Sequence, residues 1–202
     1  FQGNTAFNQD ISNWDTGNVT SMFQMFLNAT SFNQDISAWD VSSVTNMEYV
    51  FSGATSLTTL SFTDTSAVTN MREMFKGATS ITSVTLSETG LVTNMDNMFF
   101  GTTSLTSVSL PETGAAVDMS YMFEDAKSIT SVSLPKTGAV TNMEGMFGGA
   151  TSLTSVSLPE TGSVTDMTYM FNGATSLTSI AIPKTGAVTR MLGMFEGATS
   201  LT

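Results

Sequence analysis

The chain has no cysteine and no histidine. The first absence excludes disulfide cross-links, thiolate nucleophiles and thiolate metal ligands. The second removes the side chain most often used as a general base and as a metal ligand near neutral pH. Cations are scarce: six Lys plus Arg stand against seventeen Asp plus Glu, a formal charge of −11. A phosphate backbone needs clustered Lys or Arg, and no such cluster occurs, so nucleic acid is excluded as a partner. An anionic membrane surface is disfavoured on the same ground. Charged residues of both signs make up only 11% of the 202 residues, against about a quarter in ordinary domains. Ser, Thr, Asn and Gly supply the polar surface instead. No apolar run approaches the roughly 18 residues of a membrane-crossing helix, and no secretory leader pattern opens the chain. Phe1 and Thr202 both fall inside a repeat, so the sequence reads as a segment of a longer array.

What is present is periodic. Phe1, Phe26, Phe51, Phe75, Phe99, Phe123, Phe147, Phe171 and Phe195 recur at intervals of 25, 25 and then 24 residues. Met22, Met47, Met71, Met95, Met119, Met143, Met167 and Met191 stand four residues earlier. Met25, Met74, Met98, Met122, Met146, Met170 and Met194 directly precede the Phe, with Val50 in the one remaining place, and the two columns hold all fifteen methionines. One such repeat cannot cover its own apolar side chains, so successive repeats must stack, like on like, at roughly the 4.8 Å strand spacing. Met suits a stacked column because its thioether adapts and packs well against aromatic rings. The expected core ladder therefore comprises Met95, Met98, Phe99, Met119, Met122, Phe123, Met143, Met146 and Phe147 on one wall and Leu105, Val108 and Leu110 on the other.

The i, i+3, i+6, i+7 spacing of Val92, Met95, Met98 and Phe99 predicts a short helix. Thr45–Glu48 and Thr141–Glu144 have the form of capping boxes at its start. Two residues after each column Phe stands Gly, Asn or Asp, as in Gly53, Gly77, Gly101, Gly149, Gly173 and Gly197, and these types tolerate positive φ, which predicts a left-handed helix cap. Alternation in Leu105-x-x-Val108-x-Leu110 predicts a half-buried strand. Pro111, Pro135, Pro159 and Pro183 would end the strands, and Gly114, Gly138, Gly162 and Gly186 would turn the chain back. The column Ser31, Ser56, Ser80, Ser104, Ser128, Ser152, Ser176 and Ser200 reads as an internal hydroxyl ladder. The expected fold is an α/β repeat solenoid, with a parallel sheet on one face and short helices on the other, forming one array over 1–202. Residues 1–51 carry FNQDIS-W turns with Trp14 and Trp39, and residues 52–202 carry LTSVSLP turns. Ile36 and Trp39 do not align securely onto Val108 and Leu110.

"FNQDISAWDVSSVTNM" and "GMFGGATSLTSVSLPETG" resemble the BspA-like leucine-rich-repeat surface proteins and their mycoplasma lipoprotein relatives. The resemblance covers essentially the whole chain. Where many such repeats carry Cys after the Gly, this chain has Ala54, Ala78, Ala150, Ala174 and Ala198. The resemblance implies a secreted or surface-attached solenoid acting in adhesion, aggregation or host contact.

Candidate chemistry is thin. Met-x-x-Met could hold Cu(I), but a packed core accounts for the same residues and for the adjoining Phe. No ordinary Ser triad can form without His, and Lys76, Lys127, Lys136 and Lys184 fall at expected exposed turns. Asp10, Asp15, Asp35 and Asp40 suggest Ca²⁺, although such sites need several converging oxygens and solvated loop acids explain them as well. Asp64, Glu88, Glu112, Lys136, Glu160 and Lys184 share a column whose last four alternate in sign, which suits register more than binding. Thr106, Thr130, Thr154 and Thr178 form an exposed row open to O-glycosylation, sugar or protein contact, or ice, and Asn18 and Asn28 open N-glycosylation sequons. The expectation is a non-enzymatic extracellular or cell-surface protein, adhesive or structural, without cofactor or metal. Its partners would be copies of itself, or host or cell-surface proteins or glycans. A self-assembling filament subunit is the alternative, because open parallel ladders template pairing.

Overall fold

The structure is a computed structural model that describes residues 1–202 except Pro135, Pro159 and Pro183. Each repeat forms one coil of a solenoid, named below by its column Phe. Alternating apolar and hydroxyl residues build the strand wall: β1 (Thr59–Phe62), β2 (Ser83–Leu86), β3 (Ser107–Ser109), β4 (Ser131–Ser133) and β5 (Ser155–Ser157). All pairings are parallel and in repeat register: Leu60 opposes Val84, Val84 opposes Val108, and Val132 opposes Val156. Leu60, Phe62, Val84, Leu86, Leu110, Leu134 and Leu158 turn into the core, and Val108 and Val156 are half-buried against it. Pro111 follows β3 by two residues. The strand-ending role expected of Pro135, Pro159 and Pro183 lies outside the described residues.

The opposite wall holds no helix among the described residues, which corrects the expectation of short helices there. It is a chain of β-turns. In the Phe26 coil, Met25, Leu27, Ala29 and Phe32 donate their N–H groups to the carbonyls of Met22, Gln24, Phe26 and Ala29. The intervening N–H groups of Met22, Gln24, Phe26 and Asn28 leave the coil and reach the carbonyls of Asn46, Glu48, Val50 and Ser52 in the next, at 2.7–3.1 Å. The pattern repeats in later coils, with Met95, Asn97, Phe99 and Gly101 donating to Asp118, Ser120, Met122 and Glu124. Backbone donors must be satisfied somewhere, and here half serve the coil's own turns and half tie it to its neighbour. A helix would have spent all its donors beyond the first turn on itself.

The second reason is stereochemical. The residue after the first Met's neighbour is left-handed in every coil: Gln24, Tyr49, Glu73, Asn97, Tyr121, Gly145, Tyr169 and Gly193 have φ of 51° to 59°. So is the position expected to cap a helix, where Gly53, Gly77, Gly101, Gly149, Gly173 and Gly197 have φ of 66° to 73°. Each of these is the third residue of an i to i+3 turn, the place where positive φ is needed. Two left-handed residues four apart are incompatible with a right-handed helix. The expected capping boxes dissolve with it. Thr45 Oγ1 donates to the Thr20 carbonyl, 3.2 Å, and the Glu48 and Glu144 N–H groups bond to Asn46 and Asn142 Oδ1 in Asx turns.

Between the walls, Met95, Met98, Phe99, Met119, Met122, Phe123, Met143, Met146, Phe147 and Leu105 are fully buried. The column phenylalanines from Phe26 to Phe195 stack with ring centroids 5.3–5.6 Å apart and planes within 11°. In the first coils Trp14 stacks on Trp39, and buried Trp39 donates Nε1–H to the Ile11 carbonyl, 3.0 Å.

The internal hydroxyl ladder is not the Ser column. Ser31, Ser56 and Ser200 are exposed and the others half-buried; Ser128 Oγ reaches the Thr103 carbonyl, 2.6 Å. The residue preceding an apolar one lies on the rim of the corner, and the buried ladder is threonine. Thr65, Thr89, Thr113, Thr137 and Thr161 are buried, and each hydroxyl donates to a carbonyl of the following coil, at Glu88, Glu112, Lys136, Glu160 and Lys184.

Thr65 Oγ1 also accepts the Glu88 N–H, so Thr65→Val takes the side-chain partner from two part-buried backbone groups. It is expected to lower stability by about 1–3 kcal/mol, with Thr65→Ser retaining most of it, as read by chemical denaturation. An added Cβ at Gly77 meets nothing within 4 Å, yet φ is +69°. Gly77→Val is therefore expected to cost about 1–2 kcal/mol from conformation alone, while Gly77→Asn, the residue type found left-handed at Asn28, shifts the melting temperature far less. Equal shifts would refute the left-handed assignment.

Candidate functional site

The strand face presents hydroxyls in rows, with Ser107, Ser109, Ser131, Ser133, Ser155 and Ser157 exposed. Beside it runs the row of Thr106, Thr130, Thr154 and Thr178, all exposed. These hydroxyls are not idle: Thr106 Oγ1 donates to the Thr82 carbonyl, 3.1 Å, and Thr154 Oγ1 to the Thr130 carbonyl, 3.0 Å. Where the row meets the first coils, Asn33 Oδ1 accepts from both the N–H and Oγ1 of Thr58, each at 3.0 Å, and Asn8 Oδ1 does the same for Asn33 N–H and Gln34 Nε2, each at 2.9 Å. Asn18 is exposed. Asn28 is exposed too, but its carboxamide folds over Gly53, so closely that a Cβ there would lie 3.3 Å from Asn28 Cγ.

The acidic groups of the first coils work locally. Asp10, Asp15, Asp35 and Asp40 each accept the N–H two residues on, from Ser12, Gly17, Ser37 and Ser42. For Asp10 and Asp35 this backbone bond, and for Asp40 the Ser42 hydroxyl before it, holds the carboxyl below the ordinary aspartate range. In the alternating charge column, Lys136 Nζ bonds Glu112 Oε1 at 2.9 Å, with both side chains about half exposed, a contact worth little.

The turn face differs in kind. Its two positions inside Met-x-x-Met do not repeat from coil to coil. The place after the first Met reads Glu48, Arg72, Asp96, Ser120, Glu144 and Thr168, and the next reads Tyr49, Glu73, Asn97, Tyr121, Gly145 and Tyr169. Two clusters result. In the first, Arg72 lies against three carboxylates: Glu48 at 3.3 Å, Glu73 at 3.0 Å and Asp96 at 3.1 Å. Its guanidinium sits 5.3 Å from the Tyr49 ring centroid. Lys76 pairs with Glu73 at 3.0 Å and lies 5.4 Å from the Phe100 ring centroid.

In the second, a notch is lined by Tyr121, Glu124, Asp125, Tyr169 and Asn172 over a floor of Gly145, Gly148 and Gly149. Tyr121 leans across it; a Cβ on Gly145 would fall 2.5 Å from the Tyr121 ring. Burial, then Glu144 as hydrogen-bond acceptor, raises the Tyr121 hydroxyl pKa. Burial, with the charges of Asp125 and Glu144, raises that of Glu124. Gly149 and Glu144 were singled out from the sequence, but as a helix cap and part of a capping box; Tyr121, Glu124, Tyr169 and Asn172 were not singled out. The signal was the variability of the two positions inside Met-x-x-Met, against a constant frame.

A raised carboxyl pKa means that ionised Glu124 opposes folding. Stability is lost as pH rises through the folded pKa and regained below it. Glu124→Gln is therefore expected to raise the melting temperature at neutral pH, and the gain should vanish at pH below about 3, where both states are protonated. A pH-independent effect would contradict the shift.

The sequence pattern of the family described as "Mycoplasma protein of unknown function, DUF285" matches residues 1–88, 58–156, 80–180 and 117–202. No curated protein matches the chain. Among solved structures, a leucine-rich repeat protein of T. pallidum is similar at 22% identity and a TM-score of 0.57, over 77% of this chain and 70% of that one. A leucine-rich repeat protein from Eubacterium ventriosum matches at 19% and 0.42, over 82% and 37%. A leucine-rich cell surface protein from Faecalibacterium prausnitzii matches at 20% and 0.32, over 89% and 67%. Of the three, the T. pallidum protein has the TM-score that supports a shared fold, the leucine-rich-repeat fold with its parallel strands. With overlapping matches along its full length, the chain belongs to the family described as Mycoplasma protein of unknown function, DUF285.

Proposed function

We propose that this chain is a non-enzymatic repeat scaffold of the cell surface or extracellular space, with an adhesive or structural role. The observation that carries the reading is the strand face, where the same hydroxyl pattern recurs from β3 to β5. Such a face offers many identical weak contacts, and linked weak contacts add as avidity. The lack of His and Cys supports a role without catalysis. No helix among the described residues is long and apolar enough to cross a membrane. Partners of this face are further copies of the chain, or host or cell-surface proteins or glycans. Asn18, Thr106, Thr130, Thr154 and Thr178 are our candidates for glycan attachment, and Asn28 the weaker one, since a glycan there must draw the carboxamide off Gly53.

Beads coated with the purified chain should cluster with one another or adhere to cultured cells, and beads coated with heat-unfolded chain should not. Coated beads that stay dispersed and unbound would sink the adhesive role. Electron microscopy across concentrations should show short isolated rods; long fibres would point to a filament subunit instead.

A further inference from the structure

The strand wall is even from β3 to β5, but it has a step where the two types of coil meet. Residues 32–37 of the Phe26 coil run without a strand, and β1, in the next coil, is the first. The step leaves a bowl of about 380 Å³, within the size range of small-ligand sites. Its floor is a square of hydroxyls. Thr59 pairs with Ser83 and Ser61 with Thr85 in parallel register, which sets them about 4.8 Å apart between coils and about 6.6 Å apart along each strand. The neighbouring Thr58 and Thr82 hydroxyls are spent on Asn33 Oδ1 and on the Thr58 carbonyl. Those of the four floor residues have no hydrogen-bond partner among the described residues. Gln34 and Asp35 form the wall of the bowl. Gln34 donates through Nε2 to the Asn8 carbonyl and Oδ1, at 3.0 and 2.9 Å, and keeps Oε1 as an acceptor. Asp35 accepts the Ser37 N–H through Oδ1, at 2.9 Å, and has lone pairs to spare. That backbone bond, and then the Ser37 hydroxyl, hold its carboxyl below the ordinary range, so it is ionised at neutral pH. The apolar residues of the lining, Ile36 and Leu60, are themselves buried.

We propose that this bowl binds a neutral pyranose ring, a hexose unit of a cell-surface glycan. Each floor hydroxyl both donates and accepts, so it meets the hydroxyls and the ring oxygen of a sugar alike. Asp35 and Gln34 add acceptors at one side, where a carboxylate takes both O–H groups of a vicinal diol in strong, charge-assisted bonds. The same carboxylate, in a chain of net charge −11, repels the acidic sugars. A peptide side chain finds little apolar surface to bury here, because Ile36 and Leu60 are already covered. No aromatic ring lines the bowl, so a single sugar is held weakly, and many copies of the chain on one surface supply the avidity. This inference rests on the adhesive reading of the strand wall and names its ligand.

The test is a titration of the folded, isotope-labelled chain with the methyl glycosides of glucose, galactose and mannose, followed by NMR. At least one is expected to give saturable shifts at the amides of Gln34, Asp35, Ser61 and Ser83, and none at Ser133 or Ser157 of the even wall. The methyl glycoside of glucuronic acid, and glycerol, should give no saturable shift. Asp35→Asn keeps the oxygen that accepts the Ser37 N–H and should weaken sugar binding about tenfold. Ser61→Val suits a strand and should abolish binding, whereas Ser133→Val, the same change on β4, should leave it intact. Should Ser61→Val fail to fold, Asp35→Asn decides. No saturable shift with any of the three sugars, shifts spread evenly along the wall, a response to glucuronide or glycerol, or unchanged affinity in Asp35→Asn would each overturn the proposal. The two readings fail separately. Coated beads that adhere while the glycosides do not bind would overturn the sugar site and leave the adhesive role, and sugar binding by a chain whose beads neither cluster nor adhere would do the reverse.

Discussion

Each coil from Phe26 to Phe171 gives four backbone N–H groups of its turn wall to carbonyls of the next, and the rest of the molecule is arranged so that it can. These bonds demand that successive coils lie in constant register, so like residues must stack. Phe rings then offset at 5.3–5.6 Å, Met columns fill the space beside them, and Thr hydroxyls reach from corner to corner. One column shows how completely burial depends on the neighbour. Met167 is fully buried, whereas Met191, the same residue in the last coil, is 47% exposed. Nothing within a coil protects its core. Stability is a property of adjacent pairs, as in other one-dimensional arrays.

The period, the two walls and the parallel strands could be read from the sequence because they rest on side-chain columns. The identity of the turn wall could not. Val92, Met95, Met98 and Phe99 have helical spacing, but a string of i to i+3 turns also brings every third or fourth side chain to one side. The discriminating residues were Gly145 and Gly193, which reveal a second left-handed position where other coils place Gln, Tyr, Glu or Asn. Five of eight coils conceal it, since Gln, Tyr and Glu are not typical of positive φ, and Asn97 alone hints at it beside the glycines. Serine misled for a related reason: constancy in a column speaks of repetition, not of depth. Thr65 and its successors were equally constant and lie inside, a distinction set by which way the corner turns.

The same frame explains why individuality is confined to one face. On the strand wall any change alters a ladder partner on both sides. On the turn wall the positions after the first Met face a neighbour's side chain and not the apolar core, and they differ from coil to coil, as Glu48, Arg72, Asp96 and Ser120 do. Charged and aromatic side chains collect there, over a backbone that does not change. The Arg72 cluster and the Tyr121 notch are two outcomes of that freedom, one saturated from within and one left anionic.

The inter-coil bonds of the turn wall also share a direction. From Met22 to Asn46 and from Gly173 to Glu196, the N–H always points toward the later coil. Each peptide carries a dipole of about 3.5 D, and aligned peptides add. The turn wall is therefore electrically polar along its length, positive toward the later coils. An α-helix has the opposite sense, with its positive end at the start of the chain. The Thr45 and Thr69 N–H groups, at the edge of this wall, point back to earlier coils and mark where the polarity stops. Two such solenoids lying side by side would attract when antiparallel and repel when parallel, a preference written in the backbone and independent of any side chain.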